Sequence, residues 1–403
     1  MSRRTVSSIM ASVMLAVLFY VAASMPVPYI TMSPGPTVDV LAEARGEEIV
    51  QVKGHERFET DGRLELTTIK LTGPSQEVSL GEALTAWFDR SRAVYPREAF
   101  YAPDESEQDV DTESAVQMVS SQDTAVAVAL TELDYDLDKI TEVLAVTPDS
   151  PAEGELETRD QIVSVNGKRI RNANDVAGLV RQTPEGDAAT FVVRRDGEEK
   201  TVRVVPEPSK DDPKTPMVGI VVGPSYDFPF DVSVNIDDRI GGPSAGLIFS
   251  LAVYDTLTPG ALTGGAAIAG TGTIDEDGRV GPIGGIQQKI VAAADSGAEV
   301  FFVPPGNCRS AMAVGLDEEE MRLVKAPTMH SAVKSIETYR YRVAEKLSFQ
   351  SRADLVRAYL RQDEEILTAI RDDVLRRTMW LDPADGAGAS LLDGDTAGRR
   401  QAL

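Results

Sequence analysis

Two residues stand out for the chemistry their surroundings would allow. Ser244 lies in Ile240-Gly241-Gly242-Pro243-Ser244-Ala245-Gly246-Leu247. Residues 231–236 alternate as a strand before it, and an apolar run to Leu257 reads as a helix after it. A serine on a glycine turn at a helix start sits beside N–H groups able to hold a developing oxyanion. The same turn is also an ordinary helix cap, so alone it leaves both readings open. Lys289 ends the run Val280-Gly281-Pro282-Ile283-Gly284-Gly285-Ile286-Gln287-Gln288-Lys289, in the first turns of an apolar helix. There the helix dipole opposes its charge, and burial would favour the neutral amine. A neutral amine could act as general base toward a hydroxyl, whereas a plain surface lysine could not. A histidine base would have to be His55 or His330, the two the chain contains. His55 lies in a polar stretch and His330 at a helix start, and neither is assigned a role. Cys308 is the single cysteine. It supports neither a disulfide framework nor a cysteine zinc site, and reads as a small packed residue.

These motifs resemble the proteolytic domain of the Lon family over residues 231–306. The matching pieces are GGPSAG around Ser244, AGTGTI around Thr271, GRVGPIGGIQQK ending at Lys289, and GAEVFFVPPGN. The resemblance implies Ser244 as nucleophile, Lys289 as general base, and Thr271 as the residue that hydrogen-bonds and orients the lysine. It implies no metal and no cofactor. Two departures from the ATP-driven members are informative. Gly241 stands where they carry an acid, and no G-x-x-x-x-G-K-[ST] phosphate loop occurs in the sequence.

Residues 136–208 resemble a bacterial PDZ domain, through SPAEGEL, DQIVSVNGKRI, the NDVAGLVRQ helix and TFVVRRDGEE. Most such domains have glycine where this chain has Arg159. The loop that would capture a peptide carboxylate is hard to identify around residues 134–139. If the module binds peptide, strand addition to a sheet edge is the expected mode. A ligand-free structural module is the alternative.

The whole layout is similar to bacterial PDZ-containing, membrane-anchored Lon-like peptidases, which also share the run Met118-x-x-Ser121-Gln122-x-x-Ala125. The implied fold class is α+β, a Lon-type proteolytic domain with an inserted PDZ-like domain after an N-terminal transmembrane helix. The expected boundaries are 1–35 for the anchor and extended exit, 36–135 for the N-terminal part of the catalytic region, and 136–208 for the PDZ-like domain. The Lon-like domain follows at 209–345, and 346–403 is a helical extension with a disordered tail. The implied function is an ATP-independent serine endopeptidase acting on extracytoplasmic protein or peptide substrates, and the rings that Lon proteolytic domains form in the family make a homo-oligomer the expectation. The alternatives are a membrane-anchored PDZ scaffold with an inactive Lon-like domain, and an esterase or amidase using the same dyad.

Other elements follow from local pattern. Residues 63–71 alternate as a strand. Ser79 with Glu82 three residues on forms a capping box before a helix. Residues 102–114 are acidic and read as a loop, and 115–133 as a helix. A short helix capped by Asn174 covers 174–182, and 190–194 with 201–205 form a hairpin. Arg3 and Arg4 precede an uncharged apolar stretch, residues 5–25. It is long enough to span a bilayer, with the arginines cytoplasmic and the bulk of the chain outside. A cleavable signal peptide is the rival reading, given the small residues Ala22, Ala23 and Ser24. The formal net charge of −24 argues against nucleic acid as a partner and against docking on anionic lipid.

Overall fold

The computed structural model describes residues 3–346, apart from 45, 104, 196, 210–214, 238 and 317–320. The expected tail lies outside the described residues. Helix α1 (Arg3–Ser24) leads into strand β1 (Tyr29–Asp39), followed by β2 (Val50–Lys53) and β3 (Arg63–Leu71). Helix α2 (Leu80–Phe88), strand β4 (Ala93–Pro96) and the long helix α3 (Glu107–Glu132) come next. A second group holds β5 (Asp138–Val146), β6 (Gln161–Val165), helix α4 (Ala173–Arg181), β7 (Ala189–Arg195), β8 (Glu198–Val204) and β9 (Ile220–Asp227). The chain then gives β10 (Asp231–Val234), α5 (Gly246–Leu257), β11 (Ala267–Gly270), α6 (Ile286–Asp295), β12 (Val300–Val303), β13 (Arg322–Lys325) and α7 (Met329–Lys346).

Two larger sheets organise these elements into an α+β fold. The first has the order β13-β12-β11-β3-β1-β4. Its strands β13, β12, β11 and β3 run parallel, β1 is antiparallel to β3, and β4, antiparallel to β1, runs in the direction of β3 again. Strands from before residue 100 thus complete a sheet begun by strands after residue 266. The second sheet has the order β8-β7-β6-β5-β9, with Lys168–Arg169 beside β6. It lies between β4 and β11 in sequence, so it is an insertion. Because β9 pairs with β5 along its length, this sheet reaches to Asp227, past the boundary expected at 208.

Alternation along β11 and β12 divides the first sheet into two faces. Ile268, Val300 and Phe302 pack with α5 and α3 in one core cluster. Ala269, Phe301 and Val303 pack with Ile286 and Ile290 of α6 in another. The inserted sheet has its own core around Phe191, Val193, Ile162 and Val176.

Three local readings need correction. The acidic segment 102–114 is largely helix, since α3 begins at Glu107. A capping box between Ser106 and Asp109 starts it, and the acids of its first turn suit the positive end of the helix. The cap of α4 is Asn172, which accepts from Asp175 N–H, and not Asn174. In α2 the observed part of the box is Ser79 accepting from Glu82 N–H.

Candidate active site

Ser244 and Lys289 approach from opposite faces of the first sheet and meet at its carboxyl end. Ser244 lies just before α5, whose cap is Ala245, and Lys289 is the fourth residue of α6. Gly285 caps α6 at φ 67°, a left-handed conformation that favours glycine. A Cβ there would stand 2.9 Å from Met32 Sδ and from Ile69 Cγ2, so the loop also needs a residue without a side chain. Thr271 directly follows β11, between the two helices.

The contacts are short. Lys289 Nζ is 2.7 Å from Ser244 Oγ and 3.0 Å from Thr271 Oγ1. Thr271 Oγ1 donates to the Ser244 carbonyl at 3.0 Å. With its one hydroxyl proton committed there, Thr271 can only accept from the lysine. A neutral amine has one lone pair, and with an N–H given to Thr271 that lone pair can face the serine hydroxyl. Gly272 N–H also donates to the Ser244 carbonyl, at 2.8 Å, which fixes the turn. Lys289 is 2% exposed and Thr271 1%, while Ser244 is partly open. Burial pulls the Lys289 ammonium down from 10.5 to about 8.

Ser244 and Lys289 line a groove of about 610 Å³. Val38, Leu66, Ile69, Met118 and Ile240 contribute apolar lining, and Lys70, Asp237 and Arg239 charged groups. Strand β11 covers β3 only as far as Leu66, and residues 67–70 of β3 continue along the groove.

Sequence reasoning left the run from Met118 to Ala125 without a role, and the structure supplies one. Ser121 Oγ donates to the Pro243 carbonyl at 3.1 Å, and Gly242 N–H donates to the Ser114 carbonyl at 3.1 Å. Met118 lines the groove, and Ala125 is fully buried. Gly241, read as a departure from the ATP-driven pattern, lies against this helix. A Cβ there would stand 2.6 Å from the Ser114 Cβ, leaving no room for an acid. The two histidines lie elsewhere. His55 stacks on Phe230 with centroids 4.3 Å apart, and His330 pairs with Glu132 at 2.5 Å. Cys308 is buried as expected.

Arg159 bridges the inserted sheet to α3. Its Nη1 donates to Asp123 Oδ1 at 2.5 Å and its Nη2 to Gln122 Oε1 at 3.0 Å. Its φ of 74° explains why glycine is usual at this place.

Among the described residues no cluster of histidine, cysteine and acidic side chains could hold a metal. Helix α1 contains a span, residues 4–24, with mean hydropathy 2.2, long and apolar enough to cross a membrane.

Comparison with known proteins agrees with this layout. Residues 142–195 match the PDZ domain family, and 239–336 match the Lon protease (S16) C-terminal proteolytic domain. A protein named "Probable protease eep" from Enterococcus faecalis is 33% identical over 97 residues, 24% of this chain and 23% of that one. The Lon protease of Metamycoplasma arthritidis is 41% identical over 66 residues, 16% of this chain and 8% of that one. The chain thus spans under a quarter of the length of these relatives. The PDZ domain of an SdrC-like protein from Listeria innocua aligns at 22% identity and TM-score 0.19, covering 21% of this chain and 93% of its own. The chain therefore carries a PDZ domain and a Lon-type proteolytic domain, behind a helix apolar enough to span a membrane.

Proposed function

We propose that the protein is a membrane-anchored serine endopeptidase that works by a Ser-Lys dyad without ATP. The observation that carries this reading is the buried Lys289 amine 2.7 Å from the Ser244 hydroxyl, inside the domain that matches a protease family. Neutral Lys289 takes the Ser244 proton as Oγ attacks the peptide carbonyl. The amides at residues 244–246, at the start of α5, are the candidate oxyanion donors. Lys289 then passes the proton to the leaving amine, and water resolves the acyl-enzyme by the same base. A groove with apolar lining beside the open part of β3 favours an extended chain over a small acyl ester. Arg3 and Arg4 would stay in the cytoplasm, which places the catalytic domain and its substrates outside. The PDZ domain suggests peptide binding. The outer edge of β9 ends its sheet, close to α4, and supports strand addition as the mode. Ser244, Lys289 and Thr271 are the site residues, within a catalytic region that runs from about residue 36 and resumes after the insertion.

The test is digestion of an unfolded protein by the full chain in detergent, with ATP omitted. Cleavage is expected, and a peptidyl phosphonate should add its mass to the peptide that contains Ser244. Absence of cleavage and of labelling would favour a PDZ scaffold with an inactive domain. Labelling and ester turnover without protein cleavage would favour the esterase.

The pH profile gives a second prediction. Only the neutral amine can accept the serine proton, so kcat/KM should climb through one ionisation near 8, the value to which burial brings Lys289. A profile flat across that range would disprove lysine as the base.

A further inference from the structure

Helix α2 presents its large apolar side chains away from the protein. The side packed inward is Ala83 and Ala86, 7% and 0% exposed. Leu84, Trp87 and Phe88 stand at i, i+3 and i+4, which places them on one face. They are 50%, 72% and 83% exposed. Single exposed apolar residues are common, but a contiguous set built around a tryptophan marks an interaction surface.

The position of this face identifies what covers it. Residues Pro26–Val27 pair antiparallel with Val78–Ser79, and Leu80 N–H donates to the Met25 carbonyl at 2.8 Å. A Cβ on Gly81 would lie 3.1 Å from the Ala23 carbonyl oxygen. Helix α2 is therefore pinned to the last turn of α1, at the level where the apolar span ends. Tyr95 and Phe100, whose ring centroids are 5.3 Å apart, are further exposed aromatics near this end, since β4 pairs with the start of β1. The charge there also differs from the rest. Residues 89–98 hold Arg90, Arg92 and Arg97 against Asp89 and Glu98, in a chain of formal net charge −24. Arg92 has a partner in Glu82 at 3.9 Å.

We propose that α2 lies in the membrane interface where α1 leaves the bilayer. Leu84, Trp87 and Phe88 enter the boundary between headgroups and acyl chains, and Arg90 lies near lipid phosphate. Tryptophan and tyrosine suit this layer because each joins an apolar ring to a polar group, and an apolar helix face with flanking arginines is what such a layer holds. Lipid is the occupant because the face is continuous with the span. The proposal rests on the reading of α1 as a membrane span. The catalytic sheet is then tethered at two points, through β1 behind α1 and through α2, and not by a single flexible stalk.

The chain has two tryptophans, Trp87 and Trp380, so Trp380→Phe leaves Trp87 as the only emitter. The full-length variant is reconstituted into phosphatidylcholine–phosphatidylglycerol vesicles that contain lipids brominated at set depths, and flotation checks association. The expected result is quenching strongest from bromines near the headgroup end, with protection from aqueous acrylamide. Adding Leu84→Ser and Phe88→Ser should shift the emission to the red and weaken the lipid quenching while flotation persists. Floated protein whose Trp87 is quenched by acrylamide and not by bromolipid would overturn the interfacial proposal and leave the span intact. Protection from both quenchers would overturn it in favour of a protein partner or a second copy. Failure to float would overturn the span reading and this proposal together.

Discussion

Lys289→Met is expected to abolish cleavage and raise the melting temperature at neutral pH. Loss of a general base should lower kcat about a thousandfold or more. The stability gain follows from where the amine sits. Lys289 is 2% exposed, and burial holds its folded pKa near 8, below the 10.5 of the free side chain. As pH falls through that window, the unfolded chain gains a proton that the folded chain resists. The resulting penalty is fully present below about 8 and absent above 10.5. A depression of that size corresponds to about 3 kcal/mol. Methionine fills similar volume without charge and removes the penalty, less about 1 kcal/mol for each hydrogen bond lost to Ser244 and Thr271. Thermal unfolding of the full chain should show the variant ahead of the parent at pH 7, with the gap closing in alkali. Ser244→Ala should be equally inactive but without the gain, because it leaves the buried amine in place. A Lys289→Met protein that is inactive and less stable at every pH would remove the argument that catalysis rests on a destabilised lysine.

The parts of this site legible in the sequence are those whose geometry is encoded over a few residues. The glycine turns before Ser244 and Lys289, the helices after them and the alternation of residues 63–71 need only local sterics and periodicity. Strand β3 has the bounds that the alternation implied. Its place beside β11 was hidden, because Leu64 and Ile268 meet across a long insertion and periodicity carries no information about partners. The acidic start of α3 misled for another reason. Glu107, Asp109 and Asp111 look like a solvated loop by composition, whereas acids in a first turn are also what a helix N-terminus favours. Ser121 and Gln122 could be seen as part of a shared motif. What they do depends on Pro243 and Arg159, both distant in sequence. The unusual residue Arg159 could likewise be noticed, but its partner could not.

That partner gives the second large effect. Arg159→Ala should cost about 2–3 kcal/mol, toward the low end for a broken ion pair because the arginine side chain is 37% exposed. Asp123 is 2% exposed and accepts from both Arg159 and Ser225, the latter at 3.0 Å. Nearby Glu142 is also buried. Burial first, and then the charge of Asp123, push its carboxyl from 4.5 up to about 7. With its pKa raised on folding, Glu142 keeps a proton that the unfolded chain releases. Stability is therefore lost as pH rises from about 4.5 to about 7. Arg159 limits that loss by favouring the charged form of Glu142. Without it two carboxylates share one buried place, and the loss should be steeper and extend to higher pH. Urea unfolding of parent and variant below and above pH 7 measures the difference. Arg159→Gly separates two causes. At φ 74° glycine relieves the backbone while removing the same cation, so it should be about 1 kcal/mol more stable than alanine. If alanine and glycine lose equally little and neither steepens the pH dependence, Arg159 is only a surface contact. If both lose stability with the expected slope, the ion pair fastens the PDZ domain to α3, the helix that also holds the turn before Ser244 through Ser114 and Ser121.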